Sequence, residues 1–237
     1  MTLFRRLDRP PVPLLVGVLF LSAAAVVLLV YVEQLNGESS TLYLQNRNYG
    51  LQTALHDLYK TQQADVVMLG NSLTYNVNWN ELLGRASIVN RGIVSDITEG
   101  YLHRLDAVVR LKPRLCFIEG GINDIYAGVP VDLVHTHYKR IVETLRTEGI
   151  VPIIQSTLYV SPRWHDHEKN NLRVAQLNTL LQRLAATTRL EYIDLNKSMA
   201  TNGALNDTLT YDGVHLNADG YRLWAREVER VLTAHGL

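Results

Sequence analysis

The longest unbroken apolar stretch lies near the start. From Val12 to Val32 the chain carries no charge and reads VPLLVGVLFLSAAAVVLLVYV, 21 residues. At about 1.5 Å of rise per residue, a helix of that length spans the roughly 30 Å hydrocarbon core of a bilayer. Arg5, Arg6 and Arg9 precede the run, with Asp8 among them, and Glu33 and Glu38 follow it. The basic flank stays in the cytoplasm, so the pattern predicts an anchor with the rest of the chain outside. In a bacterium that places the remainder in the periplasm, held to the inner membrane. A cleaved signal would have an apolar region of about 7–15 residues followed by small residues. Here the small residues, Ser22 to Ala25, lie inside the run.

Beyond the anchor the pattern changes character. Gly37 to Ser40 is a short polar linker, and Leu42 to Lys60 reads as a helix with Leu51, Leu55, Leu58 and Tyr59 on one side. Short apolar runs bounded by turn residues then recur at Ala64–Leu69, Ser87–Asn90, Arg114–Glu119, Ile150–Ser156 and Glu191–Leu195. Such runs suit strands buried on both faces. Between and after them, Ile97–Leu111, Val131–Arg146, Leu172–Leu184 and Ala218–Ala234 place apolar residues at helical spacing. Alternating strands and helices predict an α/β fold with a mainly parallel five-stranded sheet. The expected organisation is a cytoplasmic segment at 1–11, the transmembrane helix at 12–32, a linker and leading helix at 33–60, and one catalytic domain at 61–237.

Composition narrows the chemistry. The 237 residues include 23 basic and 23 acidic side chains, so the net charge is zero. That excludes a strongly basic nucleic-acid binder, which would release counterions from a phosphate backbone. At 47% hydrophobic content the chain is not disordered. A single cysteine, Cys116, excludes an internal disulfide framework and any multi-cysteine metal site.

In open parallel sheets ligands bind outside the carboxyl ends of the strands. The first predicted strand ends in Gly70-Asn71-Ser72-Leu73, the second in Asn90-Arg91-Gly92 and the third in Gly120-Gly121-Ile122-Asn123-Asp124. Tyr211-Asp212-Gly213-Val214-His215 follows near the C-terminus. A serine is a weak nucleophile without a base, and an imidazole held by a carboxylate supplies one. A tetrahedral oxyanion needs preorganised donors, each typically worth on the order of 100- to 1,000-fold in rate. The set offers Ser72, Asp212 and His215 as catalytic residues. The N–H groups of Ser72 and Gly92 and the amide of Asn123 are the candidate oxyanion donors.

From Ala64 onward the chain resembles the SGNH, or GDSL-type, hydrolases. Ser72 in GNSL, Gly92, Asn123 in a GxND pattern, and Asp212 with His215 in a DxxH pattern match that family's four blocks in order. The stretch from Asn90 to Lys112 is similar to the platelet-activating-factor acetylhydrolase-like branch. The resemblance implies a flavodoxin-like three-layer α/β/α sandwich and cleavage of carboxylic esters through an acyl-enzyme, without metal or other cofactor. The expected substrate is a small-molecule, glycan or lipid ester carrying a short acyl group. The alternatives are an O-acyltransferase of envelope polysaccharide and a lysophospholipase or thioesterase. One residue departs from the family pattern: Asn71 stands where aspartate usually precedes the serine.

Other residues admit simpler roles. Ser72 alone suits a helix cap, and Asp124 is read as structural. His135 and His137 fall two apart on a helix and so do not face one metal. His165 and His167 lie in a polar loop beside Trp164, which either lines a substrate groove or covers the domain edge. Cys116 is expected to be a buried, inert thiol.

Overall fold

Five apolar runs pair into one sheet. The computed structural model describes residues 41–237, and Leu42–Leu237 forms one compact unit. The 12–32 anchor expected from the sequence lies outside the described residues. Among the described residues no helix is long and apolar enough to cross a membrane.

After a 3-10 turn at Leu42–Gln45, the elements are α1 (Arg47–Leu58), β1 (Val66–Gly70), α2 (Ser72–Tyr75), α3 (Trp79–Leu82) and β2 (Ile88–Gly92). Then come α4 (Thr98–Leu102), α5 (Asp106–Val109), β3 (Leu115–Ile118), α6 (Ile122–Tyr126), α7 (Val131–Thr147) and β4 (Val151–Gln155). The chain continues through α8 (His167–Thr188), β5 (Tyr192–Ile193), α9 (Asn196–Met199), β6 (Ala200–Thr201), β7 (Ala204–Leu205) and α10 (Ala218–Ala234). The main sheet has the order β2-β1-β3-β4-β5, and every pair in it is parallel. This is the flavodoxin-like order, in which the strand order reverses beside β1 and opens a crevice at its carboxyl end.

Side chains of β1 alternate between two cores, as strand pleating requires. Val67 and Leu69, with Cys116 and Ile118 of β3, pack against Tyr101, Tyr138 and Leu177 from the α4, α7 and α8 side. Val66 and Met68, with Leu115 and Phe117, pack against Trp79 and Trp224 on the other face. Trp79 and Trp224 meet edge to face at 5.1 Å, and the Trp224 indole N–H donates to Gln155 Oε1 at 2.6 Å. Each such large side chain contributes about 1.5–3 kcal/mol on full burial.

Four elements differ from the sequence pattern. The helix expected from Leu172 begins at His167, so His167 lies in α8 and not in the loop that holds His165. The helix expected over Ile97–Leu111 is broken into α4 and α5 at the turn His103–Leu105, where Arg104 turns its guanidinium into the interior. In the leading helix, Leu51 and Leu58 are exposed, and Tyr49 and His56 are the buried residues. The fifth strand contracts to Tyr192–Ile193, because only the ends of β4 and β5 pair.

Candidate active site

Ser72 begins α2 directly after β1, and Asn71 caps that helix, its Oδ1 accepting the Leu73 N–H at 2.8 Å. Asparagine at this position therefore supplies the acceptor that an aspartate would supply. Asn71 is fully buried and Ser72 nearly so. The Tyr221 hydroxyl of α10 donates to the Leu73 carbonyl at 2.7 Å and braces the same turn from the other side.

The Asp212–His215 segment approaches from the C-terminal end of the chain. Gly213 adopts φ +100°, which glycine tolerates, and its N–H donates to Thr210 Oγ1 at 2.9 Å. The Thr210 hydroxyl donates in turn to the His215 carbonyl at 2.7 Å. Ser161 N–H ties the Gly213 carbonyl to the neighbouring loop at 2.8 Å. The turn brings both Asp212 oxygens to bear. Oδ1 accepts the backbone N–H groups of Val214 at 2.9 Å and His215 at 2.7 Å. Oδ2 accepts from His215 Nδ1 at 2.6 Å. Partial burial raises the Asp212 carboxyl, but these hydrogen bonds outweigh it and hold the group below the usual carboxylate range. With its proton on Nδ1, the neutral imidazole presents a lone pair at Nε2, which lies 3.1 Å from Ser72 Oγ. The Ser72, Asp212 and His215 side chains thus form one hydrogen-bonded chain.

Asn123 lies in the first turn of α6, and its Nδ2 donates to the Asp96 carbonyl at 2.9 Å. Gly92 departs from the sequence expectation. Its N–H is committed to Asn90 Oδ1 at 2.7 Å, while Asn90 Nδ2 donates to the Thr74 and Val77 carbonyls at 2.9 and 3.1 Å. A Cβ on Gly92 would fall 2.4 Å from Tyr75 N, so glycine is required for close packing of β2 against α2. A glycine at a strand end reads alike in sequence for either role.

Asp124 is structural, as expected. Thr98 donates to it through its N–H, at 3.1 Å to each oxygen, and through Oγ1 at 2.6 Å. Since that hydroxyl proton is used, His137 Nδ1 donates to Thr98 Oγ1 across 2.8 Å. His165 packs against Trp164 with ring centroids 4.7 Å apart. Trp164 also packs on Tyr126 at 5.8 Å, and its backbone borders Gly213. Cys116 is fully buried in β3, and burial pushes its thiol up.

Sequence reasoning missed Asp96, Arg104 and Tyr221. Arg104 and Asp96 form an ion pair at 2.8 Å with side chains 2% and 0% exposed. Charges eight residues apart in a helix-like stretch read as a solvated face, so nothing in the pattern announces the pair.

Comparison with known proteins bears on the family and the fold. Residues 68–223 match the model of the GDSL-like lipase/acylhydrolase family. A GDSL-like lipase from Bacteroides thetaiotaomicron shares the fold with a TM-score of 0.69 at 20% identity, over 79% of this chain and 98% of that one. A platelet-activating-factor-like protein from Streptococcus pneumonia superposes with a TM-score of 0.71 at 24% identity, over 86% and 98%. An acetyl-xylooligosaccharide esterase from Geobacillus Stearmophilus, solved as a variant, gives 0.60 at 18%, over 72% and 95%. Among curated proteins, an N-acylneuraminate cytidylyltransferase of Streptococcus agalactiae is 22% identical over 175 residues, 71% of this chain. The chain spans only 40% of that protein's length. The chain belongs to the GDSL-like lipase/acylhydrolase family, a family of ester-bond hydrolases.

Proposed function

We propose that the protein is a membrane-anchored serine esterase that removes short acyl groups from a carbohydrate or lipid. The observation that carries this reading is the His215 imidazole, bonded to Asp212 on one side and Ser72 Oγ on the other. Ser72 Oγ attacks the acyl carbonyl as His215 Nε2 takes its proton, and Asp212 stabilises the imidazolium that forms. The Ser72 N–H, at the unpaired start of α2, and the Asn123 amide hold the oxyanion. Imidazolium then protonates the departing alcohol. Water, deprotonated by His215, attacks the acyl-enzyme, releases the acid and restores Ser72.

Two features support the substrate class. The Tyr211 ring is 62% exposed and stacks on the His215 imidazole, with centroids 5.8 Å apart. It offers a sugar ring a flat apolar face at the rim of the site. One structural relative is an acetyl-xylooligosaccharide esterase. The uncharged run at 12–32 and the basic residues before it support an anchor with the catalytic unit on the far side of the membrane.

A panel of p-nitrophenyl esters with increasing acyl length tests the reading on the full-length protein. Acetate is expected to turn over fastest, and Ser72→Ala to abolish turnover. Activity that rises with chain length would replace a short-acyl esterase with a lysophospholipase or thioesterase.

A further inference from the structure

Arg104 joins the two halves of the site. Its guanidinium donates through Nε to Asp96 Oδ2 at 2.8 Å, through Nη1 to the Arg91 carbonyl at 2.6 Å, and through Nη2 to the Gly70 carbonyl at 3.0 Å. Gly70 ends β1, two residues before Ser72, and Arg91 lies near the end of β2. Asp96 lies in the loop after β2, and its carbonyl is the acceptor for Asn123 Nδ2. A continuous path therefore runs from Ser72 along the backbone to Gly70, across Arg104 to Asp96, and across the Asp96 carbonyl to Asn123. The start of α4, directly after that loop, is clasped from the α6 side, where Asp124 takes both donors of Thr98.

Two observations argue against a merely structural ion pair. First, β1 and β2 do not need Arg104 to stay joined. They are in register from Val66↔Ile88 to Gly70↔Gly92, and Ile93 N–H already donates to the Gly70 carbonyl at 3.0 Å. Backbone already reaches Asp96, whose N–H donates to the Ile93 carbonyl at 3.2 Å; Arg104 adds the side-chain link that fixes the Asp96 carboxylate against the end of β1. Second, the loop it holds contains Ser95 at φ +60°, a left-handed conformation unfavourable for a residue with a Cβ. Such a conformation persists where its surroundings over-determine it, typically beside a site that needs fixed geometry. Buried ion pairs are also weak contributors to net stability, so holding a geometry is the better account of one kept here.

We propose that Arg104 is a positioning residue, which sets the Asn123 amide relative to Ser72 by holding Asp96 against the end of β1. The inference rests on the reading of Ser72 as nucleophile and Asn123 as oxyanion donor. A donor displaced by about 1 Å loses up to about 100-fold in rate, and the loss belongs to the chemical step rather than to binding.

The test is a double-mutant cycle on p-nitrophenyl acetate with the full-length protein. Removing Arg104 alone would strand a buried Asp96 carboxylate, so one variant is Asp96→Asn with Arg104→Met. The other is Arg104→Lys, which keeps the charge but not three donors in a plane. Both are expected to lower kcat about 10- to 100-fold at an unchanged KM. In an Asn123→Ala background the same changes are expected to cost less than about 3-fold, because the donor they position is gone. Wild-type kcat in either variant, or a loss that is fully additive with Asn123→Ala, overturns the inference. If the paired variant loses its thermal transition, Arg104→Lys decides by the same two criteria. A wild-type protein that cleaves no ester would sink the proposed function instead. A normal wild type with an inert Ser72→Ala and additive Arg104 variants would sink this inference alone.

Discussion

His215 Nε2 lies 3.1 Å from Ser72 Oγ, across 143 residues of sequence. The two meet because β1 delivers Ser72 at the reversal point of the sheet, while the Thr210–Leu216 bridge closes the turn that presents His215.

Ser72→Ala and His215→Ala are each expected to reduce kcat for a nitrophenyl ester by at least about 10,000-fold. The double variant should be no slower than either single variant, since the residues act as a unit. Asp212→Asn should cost about 10,000-fold, because an amide no longer holds the proton on Nδ1. Steady-state kinetics with KM unchanged would confirm the roles. Multiplicative losses in the double variant would refute a single mechanism.

Gly92→Ala would place its Cβ 2.4 Å from Tyr75 N and 2.9 Å from the Asn71 carbonyl. Both neighbours are backbone, so no side-chain rotation relieves the clash, and the expected loss is about 3 kcal/mol or more. Denaturant unfolding measures it. A loss below about 0.5 kcal/mol would show that β2 and α2 are looser than the close approach implies.

Tyr221→Phe removes the donor to the Leu73 carbonyl while keeping the ring that stacks on Trp224. The expected cost is about 1–2 kcal/mol of stability. Thermal unfolding of the pure variant checks the value. An unchanged Tm would mean the hydroxyl does not brace the nucleophile turn.

Glu119 is fully buried at the end of β3, and neither carboxyl oxygen has a protein partner. Burial raises it from 4.5 to about 8. Between those values the folded protein holds a proton that the unfolded chain has released, so raising the pH favours unfolding, by about 1.4 kcal/mol per unit. Burial likewise raises Asp124 from 3.8 to about 7 and lowers His137 from 6.5 to about 4. His56, buried close to Arg91 and Arg104, is lowered to about 3. The histidines gain stability as pH rises toward 6.5, in opposition to the acids. Above pH 6.5 only the acids act, and stability should fall up to about pH 8. Glu119→Gln removes most of that slope. Parallel losses in Glu119→Gln and wild type, measured by unfolding at pH 6.5 and 8, would contradict the assignment.

How much of this was legible in the sequence follows from what each element depends on. Strands β1, β3 and β4 are covered on both faces, so they read as unbroken apolar runs, and their expected bounds match within two residues. The segment Ile97–Leu111 carried apolar residues at helical spacing, but Arg104 binds three partners of which Gly70 is 34 residues away. A local pattern cannot report that demand. The same holds for Leu51 and Leu58, since periodicity shows that a face is apolar and not whether another element covers it. The hydrogen-bonded set of Ser72, Asp212 and His215 can be read from the chain because the expected chemistry restricts residue type and order. Gly92 reads alike for close packing and for a free N–H, and only the structure shows its N–H bonded to Asn90 Oδ1.

Truncation tests the proposed anchor. Full-length protein should remain with membranes after an alkaline wash, and a chain starting at Leu42 should not, because the 21-residue apolar run is the only long uncharged stretch. Membrane retention of the shortened chain would place the attachment elsewhere.

In the proposed mechanism Ser72 is a nucleophile activated by His215. A fluorophosphonate probe reports it directly, because it captures only an activated serine and leaves a stable adduct. One adduct per chain is expected, localised by peptide mass spectrometry to Ser72, and none in folded Ser72→Ala or His215→Ala. A folded wild-type protein that takes up no probe, or labelling that survives in Ser72→Ala, would contradict it.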